Sequence, residues 1–131
     1  MNDFYADVLE FRKKMEISIG EKPKLLSLEE FIFNMDFLVE ELSEFAEAHE
    51  NSSLIDAADA IVDLIYVAIG TAITMGLPLN ELWDIVHTAN MSKEKVADAS
   101  ESKRNSTNDV KKPEGFVSPE TKIAEVLKRY E

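Results

Sequence analysis

The sequence predicts an all-α fold, an antiparallel bundle of four to five helices, on three observations. Apolar residues recur three and four positions apart along most of the 131 residues, the period of one face of a helix. Helix start and stop signals separate these segments. No stretch alternates apolar and polar residues as a half-buried strand would, so no strand is predicted.

Taken in order, residues 2–17 place Phe4, Val8, Phe11 and Met15 on one side and Lys, Arg and Glu on the other. Residues 20–24 break this first helix, with Pro23 as the stop. Ser27 is a good N-cap for a second helix, and Glu30 three residues on completes a capping box. That helix runs to about His49. Asn51-Ser52-Ser53 is a tight connection, with Ser52 or Ser53 capping a third helix that reaches Thr74. Two long helices joined so briefly pack antiparallel. Gly76 supplies a left-handed cap and Pro78 opens a fourth helix, residues 79–93, with Leu82, Ile85, Val86 and Ala89 as its core stripe. Residues 98–109 are polar and aperiodic and are expected to form a mobile loop. Residues 112–116 read as a turn and residues 119–130 as a short terminal helix. The expectation is one domain over 1–131, in which 98–131 is a partly mobile tail.

The chemistry concentrates on the second and third helices. Glu40, Glu41, Glu44 and Glu47 lie on the second. At about 100° per residue, Phe31, Met35, Leu38, Leu42 and Phe45 form an apolar stripe with Glu41 on its edge and Glu44 just beyond. Glu40 and Glu47 point toward solvent. The third helix is apolar almost all round, the mark of a buried helix. Asp56, Asp59 and Asp63 are its only charged residues from Ile55 to Thr74, and they share a face with Tyr66 and Gly70. Like charges one turn apart repel, and buried carboxylates must be paired, protonated or metal-bound. No lysine or arginine occurs between Lys24 and Lys93. A hard divalent cation with oxygen ligands, Mg2+ or Mn2+, is the economical partner.

Composition narrows the function classes. Without cysteine, neither a disulfide scaffold nor a thiolate metal site is possible. A net charge of −12 argues against a nucleic-acid polymer as partner. A small anionic ligand is compatible if metal and local lysines screen it, and six basic residues gather between Lys93 and Lys112. The apolar run over 64–79 is shorter than the roughly 20 residues of a membrane span. The start of the chain lacks the basic and apolar pattern of a signal peptide. A cytoplasmic protein without a membrane partner is expected.

Several motifs occur in an order that resembles one family. They are Glu40-Glu41-x-x-Glu44, Asp59-x-x-x-Asp63-Leu-Ile-Tyr66-Val-x-x-Gly70, Val86-His87-x-x-Asn90-Met91-Ser92-Lys93, and Lys112-Pro113-Glu114-Gly115-Phe116. The ordered set, over roughly residues 28–120, is similar to the MazG-like all-α nucleoside triphosphate pyrophosphohydrolases, in particular their phosphoribosyl-ATP pyrophosphohydrolase-like branch. The resemblance implies a magnesium-dependent enzyme that cleaves a nucleotide to a monophosphate and pyrophosphate. Glu41 and Glu44 match the first metal-binding pair and Asp63 the final aspartate. Ala60 stands where the family pattern has an acid, and Asp59 is the expected substitute ligand, ahead of Asp56. Glu41 or Glu44, with Glu40 a weaker candidate, would act as general base. Asn90 would meet sugar or base, and Lys93 and Lys112 the phosphates. The resemblance further implies nucleotide-pool house-cleaning on dUTP- or dCTP-like substrates.

More apolar helix surface is present than one small bundle can hide. A homodimer or homotetramer, associating through the two acidic helices, is therefore expected to complete the metal site. The competing reading is a non-catalytic helical interaction protein with decorative surface acids. A di-iron carboxylate bundle is disfavoured, because it needs Glu-x-x-His on two helices and only Asp84-x-x-His87 is available.

Overall fold

Ser27 sets the start of the longest helix. Its Oγ accepts from the Glu30 N–H at 3.2 Å, and the Glu30 carboxylate accepts from the Ser27 N–H at 3.0 Å. This reciprocal cap satisfies two of the backbone donors that every helix start leaves open. The computed structural model describes residues 1–131. It contains α1 (Phe4–Lys14), α2 (Leu28–Glu50), α3 (Leu54–Thr74), α4 (Leu79–Met91) and α5 (Glu120–Lys128), with two strands of two residues each. The fold class is all-α, as predicted. Two compact units are present, Met1–Leu79 and Asn80–Glu131.

In the first unit α2 and α3 pack antiparallel. Ser52, with φ of 53°, turns the chain between them, and Ser53 Oγ caps α3 by accepting from the Asp56 N–H at 3.2 Å. Asn34 and Thr71 register the pair: the Thr71 hydroxyl donates to Asn34 Oδ1 at 2.8 Å, and Asn34 Nδ2 donates to the Glu30 carbonyl at 2.7 Å. Small residues let the helices approach. Ala48 is 3 % and Ala60 2 % exposed. α1 crosses α3 through buried Val8, and Phe11 meets Tyr66 edge-on with ring centroids 5.6 Å apart.

Two sequence expectations change here. α3 is not buried all round: its buried residues are Ala60, Gly70, Ala72, Ile73 and Thr74, while Ile61, Val62 and Ile65 are exposed. The stripe of Phe31, Met35, Leu42 and Phe45 on α2 is likewise exposed. The face of α2 that packs inward is the next one round, through Asn34, Glu41 and Ala48. Second, α3 is 21 residues long and apolar enough, by length and composition, to cross a bilayer. The sequence run over 64–79 missed this because the helix starts ten residues earlier. It carries three aspartates and packs against α1 and α2.

The end of α3 is strapped by residues 20–24. Gly20 N–H donates to the Ile73 carbonyl at 2.9 Å and Lys24 N–H to the Met75 carbonyl at 3.0 Å. Gly76 has φ of +68°, the left-handed cap expected from the sequence. A Cβ on Gly20 would lie 2.6 Å from the Thr74 carbonyl oxygen. Backbone cannot move aside as a side chain can, so Gly20→Ala should cost about 1–3 kcal/mol in a urea denaturation; an unchanged midpoint would contradict this packing.

In the second unit, a small hairpin that the sequence did not predict brackets residues 98–109. β1 (Glu94–Lys95) pairs antiparallel with β2 (Val110–Lys111), and Ala99–Glu101 form a 3₁₀ turn between them. Strands of two residues are too short to leave a periodic signal. Asp109 is the anchor of this hairpin. Its carboxylate accepts from the Ser102 hydroxyl at 2.7 Å, the Val110 N–H at 2.8 Å and Arg104, which together lower its pKa to about 2. A depressed carboxylate pKa contributes stability that is present above the unfolded value and lost as pH falls through the folded one. The Val96 and Val110 NMR resonances should therefore shift as pH falls from about 3 to about 1, around the folded value of about 2, and Asp109→Asn should abolish that transition.

Candidate active site

Helical geometry carries Glu41 into the interface between α2 and α3. It lies in line with Asn34 and Ala48, seven residues to either side, which is nearly two full turns. Its side chain is 7 % exposed, and Oε2 is buried with no hydrogen-bond partner. Burial raises the Glu41 pKa, and the neighbouring charges of Glu44 and then Asp63 raise it further. The antiparallel register explains the meeting: the pairing that joins Asn34 to Thr71 brings Glu41 opposite Asp63, two turns along. Glu41, Glu44 and Asp63 are thus drawn together from the two helices. Asp59 and Asp56 are exposed, and neither is among the charges acting on Glu41. Ala60 occupies the buried α2-facing position that the acid of the family pattern would take.

An uncompensated buried carboxylate oxygen beside two further acids fits a cation. The donors are hard oxygens, suited to magnesium or manganese rather than to a softer metal. No three acids close around one point as a preformed cage. Magnesium keeps several waters and takes one or two carboxylates together with substrate phosphates, so an open set of this kind suits it.

The other predicted residues belong to the second unit. Lys93 and Lys112 flank one ring, with Nζ atoms 5.9 and 5.5 Å from the centroid of Phe116. Neither lysine takes part in the ion pairs of the structure, which join Arg104 to Asp109, Lys111 to Glu101 and Arg129 to Glu81. Phe116 ends the predicted turn, whose Gly115 has φ of +77°. It also lines a cavity of about 260 Å3 with Thr88, Ser92 and Lys122. Asn90 is exposed on the last turn of α4.

Sequence reasoning assigned no role to Arg12, placing it on the outer side of α1. Its side chain instead turns inward. Nε and Nη2 donate to the Ser18 carbonyl at 3.0 and 2.8 Å, and Nη2 also donates to Thr74 Oγ1. The available signal was its position four residues after Val8, on the same face.

If the Glu41 charge is uncompensated without metal, neutralising it should stabilise the metal-free fold. Glu41→Gln should raise Tm in EDTA by roughly 2–5 °C. A lower Tm would show that the carboxylate has a stabilising partner in the free protein.

A search of curated proteins finds no match to this chain. The family model described as phosphoribosyl-ATP pyrophosphohydrolase matches residues 8–90, more than half of the sequence. The match contains α2 and α3 entire, and with them Glu41, Glu44 and Asp63. The chain belongs to the phosphoribosyl-ATP pyrophosphohydrolase family, MazG-like all-α enzymes that hydrolyse phosphoanhydride bonds.

Proposed function

We propose that the protein hydrolyses a (d)NTP between the α- and β-phosphates, releasing a nucleoside monophosphate and pyrophosphate, as a nucleotide-pool house-cleaning enzyme for dUTP- or dCTP-like substrates. The observation that carries this reading is the buried, unpartnered Glu41 oxygen beside Glu44 and Asp63, in a chain of this family. Glu41, Glu44 and Asp63 would hold Mg2+, with Mn2+ as a substitute, and exposed Asp59 would add an outer ligand. When bound, the metal screens the phosphate charge and lowers the pKa of a coordinated water. Glu41 or Glu44, whichever is not fully committed to the metal, would accept the proton of the attacking water as general base. Asn90 contacts the sugar or base, and Lys93 and Lys112 contact phosphates, the two lysines being unpaired cations in a strongly acidic chain.

The active form is a homodimer or homotetramer. What supports this is that Leu42, Val62 and Ile65 are 55 %, 61 % and 48 % exposed on the two acidic helices, apolar surface that a second copy could cover. The whole chain works as one domain with 98–131 as its tail; the family match supports this by running from residue 8 to residue 90, across the boundary at Leu79. The acidic charge and the aspartates of α3 support a cytoplasmic protein with neither a membrane nor a nucleic-acid polymer as partner.

The test is pyrophosphate release from a panel of (d)NTPs with and without magnesium. Release should require the metal, and Glu44→Ala should lower it at least about 100-fold, the scale of losing a metal ligand or an acid–base group. A folded wild-type protein that releases no pyrophosphate from any of them would overturn the reading.

A further inference from the structure

The first unit holds a cavity of about 440 Å3 between α1, α2 and α3. Its wall is aromatic: Phe11, Phe33, Phe37 and Tyr66 line it, with Val67 below. One charged group stands out in it. The five N–H groups of Arg12 are unevenly used, since Nε and Nη2 are committed to Ser18 and Thr74 while Nη1 donates to nothing. Glu29 and Glu30 line the same cavity, yet neither pairs with Arg12. Gly70 makes room for this arrangement, because a Cβ there would lie 2.8 Å from Arg12 Nη1. The guanidinium is thus held rigidly at one end and offers two free donors at the other.

The cavity adjoins the carboxylates. Phe37 is four residues before Glu41 on α2, about 6 Å along the helix axis, and Tyr66 is three residues after Asp63 on α3, about 4.5 Å. A phosphate held at the acids and a base held among the rings would be separated by about one helical turn, the place for a sugar. Flat rings with an oriented polar donor are the usual composition of a small-molecule pocket, and base–aromatic stacking tolerates any base. Discrimination must come from the polar group.

We infer that this cavity is the nucleobase pocket and that Arg12 Nη1 selects bases presenting a carbonyl oxygen, so that uracil, thymine, cytosine and guanine nucleotides are preferred to adenine nucleotides. The inference rests on the proposed hydrolase activity and specifies its substrate. Adenine has no carbonyl oxygen, only ring nitrogens and an exocyclic amino group, whereas uracil, thymine and cytosine carry O2 and guanine carries O6. Against Arg12 it would set donor facing donor, and a site built for one hydrogen-bond pattern rejects the other strongly.

The test compares kcat/KM for dUTP, dTTP, dCTP, dGTP and dATP in the wild type, Arg12→Met and Phe37→Ala, with molar mass measured for each by light scattering. The wild type should favour the four carbonyl bases over dATP by about 10-fold or more, the worth of a well-made base contact. Arg12→Met should level that ranking. Phe37→Ala should raise KM about 10-fold for all five, the scale of one lost stacking contact, and it tests the pocket even if Arg12→Met fails to fold. Wild-type turnover with the ranking kept in Arg12→Met, or substitutions that change only the molar mass, would overturn the pocket and assign the cavity to a second copy of the chain. If no nucleotide is hydrolysed, the parent reading fails and the pocket is judged by saturation-transfer NMR with deoxyuridine. Transfer lost in Phe37→Ala would sustain the pocket, and no transfer in the wild type would overturn it.

Discussion

The pairing of α2 with α3 through a turn of three residues is the constraint on which the rest of the first unit depends. A connection that short leaves antiparallel packing as the accessible arrangement, and the Asn34–Thr71 hydrogen bond holds its register. A slip of one residue along either helix would rotate the acids by about 100° and separate Glu41 from Asp63. Ala48 and Ala60 keep the helices close enough for a carboxylate between them to lose its water. That desolvation, with Glu44 and Asp63 nearby, gives Glu41 its raised pKa.

The same close packing has a cost. Alanine and glycine at the interface bury little apolar area each, so the large side chains of α2 and α3 face outward. Phe31, Leu42, Val62 and Ile65 contribute little to the hydrophobic stabilisation of a single chain in this arrangement. Ile73 and Val8 are the only large side chains that the fold buries almost completely. The acidic site and the exposed apolar flank thus follow from one choice of helix face.

Arg12 shows how a positioning network can serve two ends. Its contacts with Ser18 and Thr74 tie the segment after α1 to the last turn of α3, beside the strap through Gly20. Desolvation lowers its pKa, with no carboxylate paired to it to offset the effect. Gly70 and Gly20 are small for steric reasons, one admitting a guanidinium and the other a backbone.

The sequence by itself determined the number of helices, the capping box at Ser27, the left-handed cap at Gly76 and the family, because these rest on local chemistry or on ordered motifs. The two acidic sets were legible for the same reason, through a spacing that puts acids one turn apart on each helix with no nearby cation. Tertiary structure decided which face of each helix was buried. The apolar stripe through Phe31 and Leu42 satisfies the periodicity of a core face, but small residues permit the closer approach, so Ala48 and Ala60 took the interface. Periodicity locates an apolar face without stating whether its own chain covers it. Only the fold turned Arg12 inward, left Asp59 exposed and gave Glu41 the buried position, since each depends on residues far away in sequence.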